Sequence, residues 1–265
     1  MELWQRKILF TAGGKEFDGE DFTINFKVPF STSENPDVTD IEIYNITNES
    51  ISAIENKAYA IINAGYNNNI GNIFTGKIEK VDPSWSGVNK SVKITASDGG
   101  FEWRKTRIQK AYTKGSKASY IMKDLAGLLG LEVVEVSPKK DITYQLGKTI
   151  SGPVEVALKQ LTKDTGSKMY INKGKLYIRD GDKGTSTGFL LNSETGLIGS
   201  PERVEEEDEK GNKIVKYNVK CLLNNKITTD SIIQIQSKTI NGNYRVIEGS
   251  HVCSESEFVT EMIVK

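Results

Sequence analysis

Phe22-Thr23-Ile24-Asn25-Phe26-Lys27-Val28-Pro29-Phe30 is the stretch whose reading decides the fold class. Large apolar residues fall at every second position, so Phe22, Ile24, Phe26, Val28 and Phe30 share one face of an extended chain, the pattern of a half-buried strand. Pro29 has no N–H to give to a ladder, which predicts that this strand is an edge or ends there. Working outward, Ile41 and Ile43, then Ala58, Ala60 and Ile62, then Gly76 to Val81 and Val92 to Ala96 repeat the alternation. Between them Thr47-Asn48-Glu49-Ser50 offers a cap and an early acidic residue ahead of Ile51 and Ile54, the signature of a short helix. Many short strands with one small helix predict a closed or nearly closed barrel, because closure protects strand edges from stray pairing.

From about Ser116 the period changes. Ile121, Leu125, Leu128 and Leu129 fall on one helical face, and Gly130 follows as a C-cap. A second helix runs from Gly152-Pro153, with Pro153 suited to a first turn, through Val156, Ala157, Leu158 and Leu161 to Gly166. Leu131 to Val136 read as a strand after the first helix. Met169 to Asn172 and Leu176 to Arg179 read as a hairpin after the second, turning at Asn172-Lys173-Gly174-Lys175. Gly181 to Gly188 is rich in Gly, Ser and Thr and reads as a hinge or loop. Period two then returns at Ile214, Tyr217, Val219, Ile233, Ile235, Tyr244, Val246, Val259 and Ile263. Gly71-Asn72-Ile73-Phe74 and Gly242-Asn243-Tyr244-Arg245 open strands alike, a hint of duplication. The predicted architecture is α+β and predominantly β: two small β-barrel domains, 1–103 and 188–265, flanking a small α+β module with two helices at 104–187.

The 265 residues carry 35 Lys plus Arg and 35 Asp plus Glu, so no whole-molecule field draws the chain to nucleic acid or anionic lipid, and its partners are expected to be found by shape. No apolar run approaches the ~20 residues of a membrane-spanning helix. The start, MELWQRKILF, lacks a long apolar region and a small-residue cleavage site, which predicts a soluble chain made and kept in a cytoplasm. Cys221 and Cys253 lack CxxC spacing and read as reduced, partly buried thiols.

Searching the sequence for chemistry gives little. The single histidine, His251, lies beside Val252 in a strand-like segment and reads as structural, and no GxSxG elbow accompanies it. Ser137-Pro138-Lys139-Lys140 matches SxxK in letters, but its proline does not suit a nucleophile at a helix start. Gly13-Gly14-Lys15 lacks the spacing of a phosphate-cradling loop. Glu205 to Glu209, followed by Lys210-Gly211-Asn212, reads as a solvated hairpin tip, because consecutive carboxylates do not converge on a cation. Lys110-Ala111-Tyr112-Thr113-Lys114 interleaves aromatic and basic residues as weak nucleic-acid or sugar surfaces do, a reading the neutral overall charge disfavours. Phe101, Trp103 and Arg104 are predicted to anchor the first barrel to the middle module. No catalytic, cofactor-binding or metal-ligating residue is predicted.

Ile43-Tyr44-Asn45-Ile46, Ala64-Gly65-Tyr66 and Ile73-Phe74-Thr75-Gly76-Lys77-Ile78, closing on Ala96-Ser97-Asp98-Gly99, resemble the first barrel of phage tail baseplate hub proteins. Leu222-Leu223-Asn224, Thr229-Asp230, Gly242-Asn243-Tyr244-Arg245-Val246, the strand with His251, and Val259-Thr260-Glu261-Met262 are similar to that family's second barrel. The resemblance covers essentially the whole chain and points to a contractile-tail hub. It implies a homotrimer in which two similar barrels per subunit make a pseudo-sixfold ring, joining a sixfold tail tube to a threefold spike. It implies tube, spike or tip, and other baseplate proteins as partners, and no catalytic residues to carry over; the bore of such a ring is expected to carry mixed charge, so that passing DNA is not held. Some relatives extend into a spike, adhesin or wall-degrading enzyme. This chain stops at Lys265, so those activities are expected in other chains.

The alternatives are a tail-associated peptidoglycan hydrolase, which needs a cleft with paired carboxylates or a zinc cluster, and a carbohydrate-binding adhesin, which needs Trp85 and Tyr66 on one exposed face.

Overall fold

The computed structural model describes residues 5–55, 59–67, 69–86, 89–100, 102–181, 183–207, 211 and 213–265. Expectations placed on Ala58, on Phe101 and on 208–210 and 212 lie outside the described residues. The chain divides into two compact units. The larger comprises Met1–Ser31, Val38–Ala96 and Gly184–Lys265, and the smaller comprises Thr32–Asp37 with Ser97–Lys183.

In the larger unit the chain begins with β1 (Arg6–Ala12), β2 (Lys15–Asp18), β3 (Ile24–Ser31) and β4 (Val38–Tyr44). Helix α1 (Asn48–Glu55) follows, then β5 (Tyr59–Tyr66), β6 (Asn69–Ser86) and β7 (Asn89–Ser97). The short helix starts where the sequence placed it, because Thr47 Oγ1 accepts the Ser50 N–H at 3.2 Å and relieves one of the orphan donors of the first turn.

The smaller unit takes the next stretch: α2 (Glu102–Lys105), β8 (Arg107–Tyr112), β9 (Ser116–Lys117), α3 (Ala118–Gly127), β10 (Glu132–Ser137), β11 (Thr143–Tyr144) and β12 (Lys148–Pro153). It ends with α4 (Val154–Thr165), β13 (Ser167–Asn172) and β14 (Lys175–Asp180). The larger unit resumes with β15 (Thr185–Leu191), β16 (Leu197–Glu207), β17 (Lys213–Leu222), β18 (Ser231–Gln236), β19 (Asn241–Cys253) and β20 (Phe258–Val264).

The smaller unit is the α+β module expected in the middle of the chain. Trp103, Ile121, Met122, Leu125, Val154, Leu158, Leu161, Met169 and Ile178 close one core between the two helices and the sheet β10-β14-β13. The hairpin turn is legible in the backbone, since Lys173 and Gly174 both take positive φ (54° and 74°), the geometry a two-residue loop needs to match strand twist. Gly166 caps α4 with φ 65°, while Pro153 is its N-cap residue, one position ahead of the first turn. Helix α3 is shorter than predicted. It stops at Gly127, Leu128 turns outward at 46% exposure, and Leu129 alone returns to the core.

The larger unit corrects the prediction of two separate barrels. Among the described residues its strands run as a continuous sheet, β16-β17-β20-β19-β3-β4-β7-β6-β5-β1-β2, with β15 and β18 branching from it, and no closed barrel forms. The join is made by the stretch that opens the sequence analysis. β3 pairs with β4 only from Ile24 to Lys27, and with β19 from Phe26 to Ser31. Pro29 lies beyond the last rung to β4, where a missing N–H on that side costs no ladder bond. The strand therefore does not end at the proline, and β19 occupies its other edge. Both ends of the chain belong to one compact unit, and Trp103 belongs to the core of the other.

Two hydrophobic cores persist inside that continuous sheet. One gathers Phe10, Phe26, Ile41, Ile62, Ile94 and their neighbours, with Leu223, Cys253 and Phe258 contributed from the far end of the chain. The other gathers Leu191, Val219, Ile233, Ile235, Val246 and Met262, with Phe30 contributed from β3. At roughly 1.5–3 kcal/mol for each fully buried aliphatic or aromatic side chain, these shared residues tie the two ends together at least as strongly as the rungs of β3 and β19 do.

Candidate functional site

The residues that the sequence singles out for chemistry are dispersed over the fold. His251 sits on β19 at 1% exposure, its Nδ1 2.8 Å from Thr260 Oγ1 and its ring 4.9 Å from that of Phe30. It lies beside the β3–β19 join, opposite Val28 on one side and Thr260 on the other, and serves the packing of that seam. Cys221 and Cys253 are buried and free. Burial pushes the Cys221 thiol up to about 12 and the Cys253 thiol up to about 11. Ser137 is the exposed last residue of β10, and the Lys140 N–H donates to Thr165 O at 3.2 Å. Gly13 and Gly14 make the β1–β2 turn, with α1 so close that a Cβ on Gly13 would lie 2.4 Å from Ala53 O. Among the described residues no group of three or more His, Cys, Asp or Glu is arranged to hold a metal ion.

Two buried polar pairs hold backbone crossings in place. Asp230 is 1% exposed with φ 66°, and its carboxylate accepts from Arg245 Nε. This joins the Thr229-Asp230 and Asn243-Tyr244-Arg245 motifs that the sequence singled out separately. In the smaller unit Asp98 is 6% exposed. It accepts the Asp37 N–H at 2.9 Å and returns its own N–H to Asp37 O at 3.3 Å. Burial first, and the neighbouring Asp37 carboxylate second, push the Asp98 carboxyl up to about 8.

The aromatic pair on which an adhesin would depend does not share a face. Tyr66 is 7% exposed, and its hydroxyl donates to Phe258 O at 3.0 Å. Trp85, near the end of the long strand β6, is 68% exposed with the Lys90 ammonium 5.3 Å from its ring. A shallow groove of ≈ 700 Å³ lies between the 192–200 segment and Gln236 to Lys238.

What the surface does show is a separation of charge that the zero total conceals. Segments 32–37 and 97–183 hold 17 Lys and Arg against 12 Asp and Glu, and the rest of the chain holds 18 against 23. Residues 103–123 include Arg104, Lys105, Arg107, Lys110, Lys114, Lys117 and Lys123 and no acidic residue, and all seven are exposed. The run is contiguous in the sequence, where the interleaved aromatic and basic residues of Lys110 to Lys114 are its most distinctive part.

A long sheet carrying the β3–β19 seam and a small α+β module make up the fold of this chain. That fold is shared with a prophage MuSo2 43 kDa tail protein from Shewanella oneidensis (TM-score 0.68, 11% identity, covering 99% of this chain and 98% of that one). It is shared as well with a tail protein from Neisseria meningitidis (TM-score 0.67, 11% identity, 99% and 97% covered). An Escherichia coli component of the type VI secretion system, described as structurally similar to the T4 tail proteins gp27 and gp5, matches with TM-score 0.62 and 10% identity over 98% of this chain and 73% of that one. No curated protein matches the sequence. The family model for the baseplate hub gp41 matches residues 38–255, most of the chain, and the protein belongs to that baseplate hub family.

Proposed function

We propose that this chain is a structural, non-catalytic hub subunit. Three copies close into a ring of pseudo-sixfold character that adapts a sixfold tail tube to a threefold spike in a contractile tail. The observation that carries the reading is the family match over residues 38–255. The two hydrophobic cores support the finer geometry: one is built mainly from the first strands and the other mainly from the last, so a subunit could present two blocks to the tube, tied together by the residues they exchange. Cyclic symmetry then repeats every subunit contact three times, so modest contacts give a stable ring. The tube protein, the spike or tip protein and other baseplate proteins are the partners of this assembly. DNA passes through the ring without being held, and the particle is assembled in the bacterial cytoplasm.

The test is the mass of the purified protein by native mass spectrometry, alone and co-expressed with the tube and spike proteins. A species three times the 29.4 kDa chain, bound by both partners, is expected. A persistent monomer that captures neither partner overturns the proposal, and clearing of a bacterial wall suspension by the purified chain overturns its non-catalytic part.

A further inference from the structure

β3 ends at Ser31 and β4 begins at Val38, and the last rung between these antiparallel neighbours joins Lys27 to Asp40. The six residues that connect them, Thr32–Asp37, belong to the smaller unit although both strands belong to the larger one. Three contacts fix the segment there. Lys159 Nζ on α4 donates to Asn35 Oδ1 at 2.6 Å. Pro36 lies so close to Gly99 that a Cβ on the glycine would stand 2.2 Å from Pro36 Cγ, with Ile171 Cδ1 of β13 3.1 Å away. Asp37 and Asp98 exchange two bonds, Asp37 N–H to Asp98 Oδ1 at 2.9 Å and Asp98 N–H to Asp37 O at 3.3 Å. The segment takes neither helix nor strand, and Ser33, Glu34 and Asn35 are exposed. A short irregular stretch of this kind opens at lower free energy than the packed core beside it.

The third contact has an ionisable group at its centre. Asp98 is 6% exposed, and its carboxyl receives the N–H groups of Asp37, Asp98 and Gly99. The charge that acts on it is the Asp37 carboxylate, which opposes its ionisation. From the other elements that meet the segment, α4 brings the Lys159 ammonium, bound to Asn35, and β13 brings the apolar Ile171. Burial and the Asp37 carboxylate keep the proton on Asp98 up to about pH 8. An ionised Asp98 regains water, and escapes the second carboxylate, when residues 36 and 37 lift away.

We propose that residues 32–37 form a releasable latch, clipped to the smaller unit while Asp98 holds a proton and loosened from it, with the core of that unit still folded, when the proton is lost. The latch does not depend on the ring reading, and the failure of either leaves the other standing. With the segment open Asp98 titrates at its ordinary 3.8, and with it closed the proton stays to about 8. Closure is therefore strongest below about pH 4, weakens by about tenfold per pH unit through the window, and is level above it. Above the window the Lys159–Asn35 and Pro36–Gly99 contacts oppose release.

The test is amide hydrogen exchange of the full chain from pH 5 to 9, each rate divided by that of an unstructured amide at the same pH. The reporters are the Asp37 and Asp98 N–H groups, which make the latch bonds, and Met169 to Ile171 in β13, which report the core. Protection at Asp37 and Asp98 is expected to fall by about tenfold per pH unit, to level off near pH 8, and to lie at least about tenfold below that of β13 throughout. Asp98→Asn is expected to abolish the slope at Asp37. Asp37→Asn keeps both backbone bonds and removes the opposing carboxylate, so its slope is expected to level off at a lower pH; it keeps the test decisive if Asp98→Asn fails to fold. Lys159→Ala is expected to lower protection at Asp37 by about threefold at every pH and to leave the slope and β13 unchanged. Protection at Asp37 that ignores pH in the wild type, or a slope that survives Asp98→Asn, or a levelling point that Asp37→Asn leaves in place, overturns the inference. So does equal protection at Asp37 and in β13, which would mean that the segment leaves only when the whole unit unfolds.

Discussion

Replacing Asp98 by asparagine isolates one buried carboxyl and its effect on stability. In the folded chain burial and the Asp37 carboxylate raise the Asp98 carboxyl from its ordinary 3.8 to about 8, so between those values the native state holds a proton that the unfolded chain has released. Stability from this group is therefore fully present below about pH 4, is lost progressively as pH rises through the window up to about 8, and is level above it. A shift of about four units, at about 1.4 kcal/mol each, corresponds to a loss on the order of 5 kcal/mol across the window. Asparagine keeps an oxygen for the Asp37 N–H and carries no proton to lose, so Asp98→Asn removes the pH dependence and leaves the 2.9 Å bond in place. Urea unfolding of both proteins at intervals from pH 4.5 to 9 is the assay. The wild-type minus variant difference is expected to move against the wild type by about 1.4 kcal/mol per pH unit, then to flatten above pH 8. Parallel profiles, or a carbon-13 titration that places the Asp98 carboxyl near 4, would refute the reasoning.

Two further outcomes follow from the larger unit. Asp230→Ala leaves the Arg245 guanidinium, 12% exposed, without its carboxylate, and is expected to cost roughly 3–5 kcal/mol in chemical unfolding. A loss under about 1 kcal/mol would show that the pair is not structural. Cys221 and Cys253, with thiols pushed up to about 12 and about 11, hold about one thiolate in a thousand or fewer at pH 8. An aromatic disulfide reagent is expected to leave both untouched in the native protein and to titrate two on unfolding. Rapid native reaction of either would contradict the packing of the two cores.

Much of the local structure was legible in the sequence because its causes are local. Alternation at Ile24, Phe26, Val28 and Phe30 reads directly as a strand, Thr47 and Ser50 as a helix start, Gly166 as a helix stop and Asn172 to Lys175 as a hairpin, since each depends on side-chain periodicity, capping or positive φ within a few residues. The family resemblance rested on the same short motifs, and the match over residues 38–255 agrees with it. What the sequence left open is everything set by pairing between distant segments. Nothing within the Phe22 to Phe30 stretch says that its last residues leave β4 and join β19, because the choice depends on which edge is free once the chain is folded. The same pairing merges two expected barrels into one sheet, buries His251 at the seam, and sends Phe30 to one core and Cys253 to the other. The charge separation is of this kind too. Only when 32–37 and 97–183 are known to fold together does a neutral chain divide into a basic part and an acidic one, because electrostatic character belongs to surfaces and the sequence lists only residues.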